Sequence, residues 1–354
     1  MDKVLTIIIP TYNMEKYLRR CLDSLIIDEE GMKLLEVLVI NDGSKDTSSQ
    51  IAHEYQDKYP NTFRVIDKEN GNYGSCINRG LEEATGRYTK ILDSDDCYYT
   101  ENFQEFITLL KDASADIVFS PFDTYTFDSI LKNKMECIDF PNGKIFDINE
   151  IKWPNSIEGR YRAMHCMAVS TAILKGNHYH QTEGISYTDT QFIFYSVLYS
   201  KTCAFYDKPI YKYYIGREGQ TMSKASLKKS YLHFHKNARV MMDTFMILPA
   251  TISENKRSIL FACLNSCFLP FINTILSYVF LPVQELSFAK KLIEDSKKCK
   301  LRCPLADFSN RQESLVSLKR DFPLFLWNKM HVPSFFIYFL SKIRFLELIN
   351  KCRI

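Results

Sequence analysis

The stretch Tyr88-Thr-Lys-Ile-Leu-Asp-Ser-Asp-Asp96 decides the fold. It reads as a short apolar strand that ends abruptly in three carboxylates, Asp93, Asp95 and Asp96. Adjacent carboxylates repel, at a free-energy cost that a bound cation removes. The D-x-D spacing lets two of them share one hard cation, and Mg²⁺ or Mn²⁺ keeps open positions for phosphate oxygens. The plainer alternative is a helix N-terminus, where Ser and Asp are good caps.

Outward from this stretch, strand and helix alternate. Residues 4–10 form a continuous apolar run, as in a parallel strand buried on both faces. Residues 15–27 have helical spacing, with Tyr17, Leu18, Cys21, Leu22 and Leu25 on one side. A second buried strand over 37–41 is followed by a helix over 46–59, with Ser44 as its cap. A third strand covers 63–66, a helix over 75–84 ends at Gly86, and 88–92 is the fourth strand. A helix over 103–110 and an apolar run over 116–121 come next. This order predicts an α/β fold: a doubly wound, mostly parallel sheet with helices on both faces. Ligands of such sheets bind at the carboxyl ends of the strands. The polar residues gather there: Thr11 to Asn13, Asp42 with Ser44, and Asp93 to Asp96. Residues 123–159 loosen into loops and short strands, and helical patterns over 164–175 and 188–199 follow.

Charge divides the chain. Residues 1–225 carry 25 Lys and Arg against 33 Asp and Glu, whereas residues 226–354 carry 20 against 9. The net charge of +3 hides this asymmetry. The acidic front suits a metal, and the basic tail suits an anionic surface such as phospholipid headgroups or a lipid pyrophosphate. Strand alternation also stops near residue 226, which divides a 1–225 α/β domain from a mainly helical 226–354 region. Eleven scattered cysteines show no disulfide framework, which fits a reducing cytoplasm. Cys263/Cys267 and Cys299/Cys303 read first as small core residues, with shared zinc the alternative. No leader is expected, because Met1-Asp-Lys runs directly into an apolar strand.

Residues 258–284 carry no charge and reach bilayer-spanning length. Asn265, Pro270, Asn273 and Pro282 interrupt them, which favours a buried helical pair or an interfacial segment. Over 321–354, Phe, Leu and Trp327 interleave with Lys329, Lys342, Arg344, Lys351 and Arg353. That mixture predicts a helix lying in a membrane interface. A packed helical subdomain with a solvated basic face is the alternative. No nucleic-acid-binding module accompanies the charge.

Three blocks now stand in order: Ile8-Ile-Pro-Thr-Tyr-Asn13, Val39-Ile-Asn-Asp-Gly-Ser44 with Asp46, and Leu92-Asp-Ser-Asp-Asp96. They resemble the signature blocks of family-2 inverting glycosyltransferases. Gly71-Asn-Tyr-Gly-Ser-Cys-Ile-Asn-Arg-Gly80 resembles the family's loop-helix block, and Tyr187-Thr-Asp-Thr190 its base-bearing block. Gly216-Arg-Glu-Gly-Gln-Thr-Met-Ser223 resembles a block near the end of the catalytic domain. The resemblance covers roughly residues 1–225 and implies the nucleotide-sugar-binding GT-A fold. By the same resemblance, Pro10, Thr11, Tyr12 and Glu15 line the nucleotide pocket. Asp42 accepts from the base, typically uracil. Asp93 contacts the ribose with Ser94 beside it, Asp95 holds Mg²⁺ or Mn²⁺, and Asp96 supports it. Asp189 is implied as the general base, and Arg217 and Gln220 steady the diphosphate or acceptor.

The chain departs from the family pattern in three places. Thr188 stands where the family often has Glu. Ile77 stands where some members have Arg. The 216–223 block has no histidine to complete a metal shell, and His165 is the candidate to approach the sugar instead.

Chemistry supports these roles separately. Charge builds on a departing diphosphate, and a metal offsets it without a proton donor. An acceptor hydroxyl is a poor nucleophile, so a carboxylate must take its proton. One in-line attack inverts the anomeric centre with a single base, unlike the paired carboxylates of retaining hydrolases. The expected enzyme transfers sugar from a nucleotide-sugar, a UDP-sugar first, to a saccharide acceptor, lipid-linked in surface-polysaccharide synthesis. It is expected in the cytoplasm, peripheral on the inner membrane face. Two alternatives stand beside it. One is a degenerate transferase acting as a scaffold. The other is a sugar-nucleotide pyrophosphorylase, which the Pro-Thr-Tyr-Asn loop disfavours.

Overall fold

The computed structural model describes residues 2–135, 140–151, 163–217 and 224–277. The chain opens with β1 (Leu5–Thr11), all seven residues of which are buried. Then come α1 (Leu18–Asp23), α2 (Glu29–Leu34) and β2 (Leu35–Asn41). Next are α3 (Ser48–Lys58), β3 (Phe63–Asp67), α4 (Asn72–Glu83) and β4 (Tyr88–Ile91). After the acidic turn follow β5 (Cys97–Tyr98), α5 (Thr100–Asp112), β6 (Ile117–Phe119), β7 (Phe122–Thr126), β8 (Leu131–Lys134) and β9 (Phe146–Asp147). The later elements are β10 (Met167–Ser170), α6 (Thr171–Gly176), α7 (Asp189–Tyr199), β11 (Thr202–Phe205) and β12 (Tyr211–Ile215). Two longer helices follow, α8 (Lys224–Met246) and α9 (Glu254–Ser277).

Eight strands make the central sheet in the order β3-β2-β1-β4-β10-β6-β11-β9. The first four run parallel, β10 runs against both its neighbours, and β11 is parallel to β6. The mostly parallel α/β sheet expected from the apolar runs is therefore present. Such runs lack alternation because helices cover both faces and every residue is buried. The register aligns the strand ends: Thr11 pairs with Asn41, and Asn41 with Asp67. Asp42 N donates to Thr11 O at 2.8 Å and Leu92 N to Ile8 O at 3.0 Å, so the ladder carries on to the functional turns. A second, four-stranded sheet runs β5-β12-β7-β8, with β12 parallel to β7 and antiparallel to β5.

Three local readings are corrected. Residues 164–175 are not one helix: a 3₁₀ turn (Met164–Cys166) leads into β10 and only then α6. β10 fills the slot between β4 and β6, with Val169 paired to both Thr89 and Ile117. A four-residue apolar run has the same pattern in a buried strand as in a helix turn. Ser44 does not cap α3, whose N-cap is Thr47; its hydroxyl accepts instead from Asn13 N at 3.0 Å. Pro270 does not interrupt the helix: α9 runs through it from Glu254 to Ser277. A proline removes one helical amide, and the turns around it carry on.

Two compact units separate. One is Met1–Gln220 together with Ala250–Cys263; the other is Thr221–Pro249 together with Leu264–Ile354. Ala250–Cys263 joins the first unit through Lys256, whose buried ammonium donates to Ser200 O at 2.7 Å. Among the described residues, no helix is long and apolar enough to cross a membrane. Residues 278–284, Cys299, Cys303 and the aromatic-basic tail lie outside the described residues.

Candidate active site

The carboxyl ends of β1 and β2 are stapled together by side chains. Asn13 adopts a left-handed φ of 54° and accepts from Lys45 N at 2.7 Å. Glu15 Oε2 accepts from Thr47 N at 3.1 Å and from Thr47 Oγ1 at 2.9 Å. Asp46 reciprocates by accepting from Glu15 N at 3.0 Å. Glu15 thus holds the α3 N-terminus, where a carboxylate meets unpaired amides. Pro10 and Thr11 are buried, and Tyr12 is 46% exposed at the rim.

Asp42 follows β2 and is buried. Its Oδ1 accepts from Lys68 Nζ at 2.6 Å and from Gly71 N at 2.9 Å, and its Oδ2 from Asn72 N at 2.9 Å. It therefore caps α4 from a neighbouring strand. Of about four acceptor positions on a carboxylate, one remains. Lys68 is saturated in turn, donating also to Glu69 O at 2.7 Å and Ser75 Oγ at 2.8 Å.

The acidic turn after β4 divides its labour. Half-buried Asp93 accepts from Tyr73 OH at 2.9 Å through Oδ1. Burial, then the Asp95 charge, pushes its pKa up from the ordinary carboxylate range. Asp95 accepts from Arg217 Nε at 2.5 Å, in a pair only 13% and 19% exposed. Its carbonyl accepts from Arg20 at 2.6 Å. Asp96 is fully buried and faces away: Oδ2 takes Tyr211 OH and Oδ1 takes Tyr214 N, each at 2.7 Å. Burial and its two acidic neighbours raise its pKa as well. Asp96 thereby ties the turn to β12. Ser94 is buried within the turn.

Asp189 is the first residue of α7. Burial raises its pKa, and backbone amides of Thr190 and Asp189 itself oppose the rise. Its charge is felt by Asp93. The loop before it rests on α4. Asn78 Nδ2 donates to Gln181 O at 2.9 Å and Gln181 N returns to Asn78 Oδ1 at 2.8 Å. Gln181 Nε2 then donates to Thr188 Oγ1 at 2.8 Å. Thr188, where the family often has Glu, thus anchors the loop. Gly74 permits the approach: a Cβ there would lie 2.2 Å from Thr182 O.

His165 sits in the 3₁₀ turn, its ring 4.5 Å from Tyr211 and 4.6 Å from Tyr213. Its Nδ1 is buried with no hydrogen-bond partner among the described residues. Burial, then Lys90, depresses its pKa to about 3, so the ring is neutral. Lys90, fully buried on β4, donates to His165 O beneath this turn, and burial lowers its pKa to about 7. Gln220 lies outside the described residues.

Asp93 and Asp95 each keep one oxygen without a hydrogen bond among the described residues. Among those residues, no group of three or more His, Cys, Asp or Glu could hold a metal ion. Two carboxylate oxygens fit Mg²⁺ or Mn²⁺ when a phosphate ligand completes the shell. Tyr73, Lys68, Asn78 and Gln181 were not found from sequence. Their roles come from contacts between distant segments, and only the quoted Gly71–Gly80 block pointed near them.

These elements define a doubly wound, mostly parallel α/β fold with acidic groups at the ends of parallel strands. Residues 6–174, just under half of the chain, match the family model described as Glycosyl transferase family 2. An uncharacterized glycosyltransferase of Mycoplasma pneumoniae is 38% identical over 122 residues, 34% of this chain and 40% of that protein. The minor teichoic acid biosynthesis protein GgaB of Bacillus subtilis is 33% identical over 150 residues, 41% of this chain and 16% of that one. In each relative the match spans less than half its length. The structure of S. aureus TarS 1–349 with UDP-GlcNAc superposes with a TM-score of 0.64 at 19% identity, covering 97% of this chain and 92% of that one. That likeness shows the GT-A fold.

Proposed function

We propose that this chain is a metal-dependent, inverting glycosyltransferase using a UDP-sugar. The observation that carries this reading is the placement of Asp93, with Asp95 two residues on, just after β4, where the Asp189 charge at the start of α7 reaches Asp93. A donor lying between them would put its diphosphate on the acidic turn and its anomeric carbon toward Asp189. Asp93 and Asp95 are the residues that would hold Mg²⁺ or Mn²⁺. Such a cation supplies charge stabilisation for the leaving diphosphate.

Asp189 takes the proton from the acceptor hydroxyl. Burial strengthens it as a base, because the ionised form is the one that loses hydration. The acceptor oxygen forms its bond to the anomeric carbon as the bond to the diphosphate breaks, and that electron pair leaves with UDP. Attack from the face opposite the leaving group inverts the centre. Arg217 lies beside Asp95 and is placed to follow the diphosphate. Asp42 orients the α4 N-terminus and reads the base with its remaining lone pair.

The relative named for teichoic acid biosynthesis supports a cell-surface polymer as acceptor; we take that acceptor to be lipid-linked and met at the cytoplasmic face. Peripheral membrane contact through the basic C-terminal region fits that acceptor. The test is calorimetric binding of UDP, GDP, CDP and dTDP, each with Mn²⁺ and with EDTA. Metal-dependent UDP binding is expected. Preference for another nucleotide overturns the donor assignment, and binding of none favours a scaffold role.

A further inference from the structure

We propose that Tyr73 is a positioning residue of the donor site, whose hydroxyl orients Asp93 toward the nucleotide-sugar. This rests on the transferase reading above and adds to it a residue to which the sequence assigned no role.

Tyr73 occupies the first turn of α4. That turn is unusually constrained. Asn72 adopts φ 70° while its amide, with that of Gly71, is held by the Asp42 carboxylate. On the following residue, Gly74 lies against the Thr182 carbonyl with no space for a methyl group. The Tyr73 ring therefore projects from a turn fixed on both sides. Its hydroxyl donates to Asp93 Oδ1 at 2.9 Å and lies 3.1 Å from Met164 Sδ.

Tyr88, at the other end of β4, satisfies its hydroxyl at a backbone carbonyl, Ala115 O. Tyr73 instead uses its one donor on an acidic side chain that is close to a second carboxylate. Its hydroxyl fixes which Asp93 oxygen stays open. Without it, Asp93 would carry no side-chain hydrogen bond among the described residues. The carboxylate would then rotate freely beside Asp95. α4 thus reaches all three acidic positions: Asp42 through its amides, Asp93 through Tyr73, and the Asp189 loop through Asn78.

The test compares Tyr73→Phe with Tyr88→Phe in the full chain, reading UDP affinity with Mn²⁺ by calorimetry and thermal midpoint by denaturation. Tyr88→Phe removes a buried hydroxyl at the far end of β4 and reports the purely structural effect. Tyr73→Phe is expected to weaken UDP binding by roughly tenfold or more, the usual effect of losing a hydrogen bond to a charged group, without a matching fall in midpoint. Tyr88→Phe is expected to keep wild-type affinity. Wild-type affinity in Tyr73→Phe overturns the proposal and leaves the transferase reading intact. Equal losses of affinity and midpoint in both variants make the hydroxyl structural and overturn it too. Failure of the wild type to bind any nucleoside diphosphate overturns the transferase reading, and this proposal with it.

Discussion

Asn78 and Gln181 pair through two reciprocal hydrogen bonds, the Asn78 side chain imitating a strand partner for the Gln181 backbone. The pair joins α4 to the loop that carries Asp189. Asn78→Ala strands a buried amide and carbonyl, at a cost of about 1–3 kcal/mol. Thermal denaturation should show the lower midpoint. Turnover should fall by more than UDP affinity does, because the base loop loses its anchor while the acidic turn does not. Unchanged turnover would show that the loop is held elsewhere.

The Arg217–Asp95 pair sets a second prediction. Asp95→Asn removes a charge from the proposed cation site, so Mn²⁺ should no longer improve UDP affinity. Arg217→Gln leaves Asp95 partly buried beside Asp93 without its counter-charge. Turnover should fall by about 10²-fold or more, as when other preorganised charge-stabilising groups are removed. Titrations with Mn²⁺ and with EDTA separate the two variants. Identical metal dependence in Asp95→Asn and wild type would remove Asp95 from the site.

Asp189→Asn keeps the shape and loses the proton acceptor. Turnover should drop about 10²–10⁴-fold, the range for general base catalysis. UDP affinity with Mn²⁺ should stay at the wild-type level. Near-normal steady-state turnover would assign the base to another residue.

Gly74→Ala places a methyl carbon 2.2 Å from Thr182 O, which is backbone and cannot step aside cheaply. Overpacking of this kind costs about 1–3 kcal/mol. A lowered thermal midpoint together with reduced turnover is expected. A midpoint equal to wild type would mean that α4 and the base loop separate freely.

Lys90 gives a pH prediction with a definite sign. Burial lowers its pKa from 10.5 to about 7. Between these values the unfolded chain binds a proton that the folded chain does not, so this group makes stability rise with pH. Its stabilising trend is absent well below pH 7 and complete above the unfolded value. Lys90→Met removes it. Wild type should therefore gain stability relative to Lys90→Met from about pH 7 to about pH 10, followed by denaturant unfolding. Parallel curves would show that Lys90 stays charged in the fold.

The parallel half of the sheet was legible because β1 and β2 are apolar at nearly every position, a pattern that only two-sided burial explains. Matching spacing of the acidic and Gly-rich blocks made the family legible as well. β10 was not, because Met167–Ser170 continues the apolar pattern of the helix that follows it. Asp42 was readable as an acidic strand end, but its hold on the α4 amides depends on a residue pair 29 positions apart. Glu15 was placed near the nucleotide, yet its carboxylate is spent on Thr47. Tyr73 stood inside the quoted Gly71–Gly80 block, but its role depends on a contact with Asp93, 20 residues away.

Asp96 also bears on how the protein is made. Its two oxygens are held by Tyr211 and Tyr214, 115 and 118 residues later in the chain. The acidic turn emerges early during synthesis, but its anchor emerges much later, beyond residue 174 where the family match ends. Contacts of such sequence separation form slowly, because a long loop must close first. A nascent chain ending before Tyr211 would display Asp93, Asp95 and Asp96 without the strand that orders them. Competence of the proposed donor site would therefore wait on β12, well after the acidic turn itself has been made.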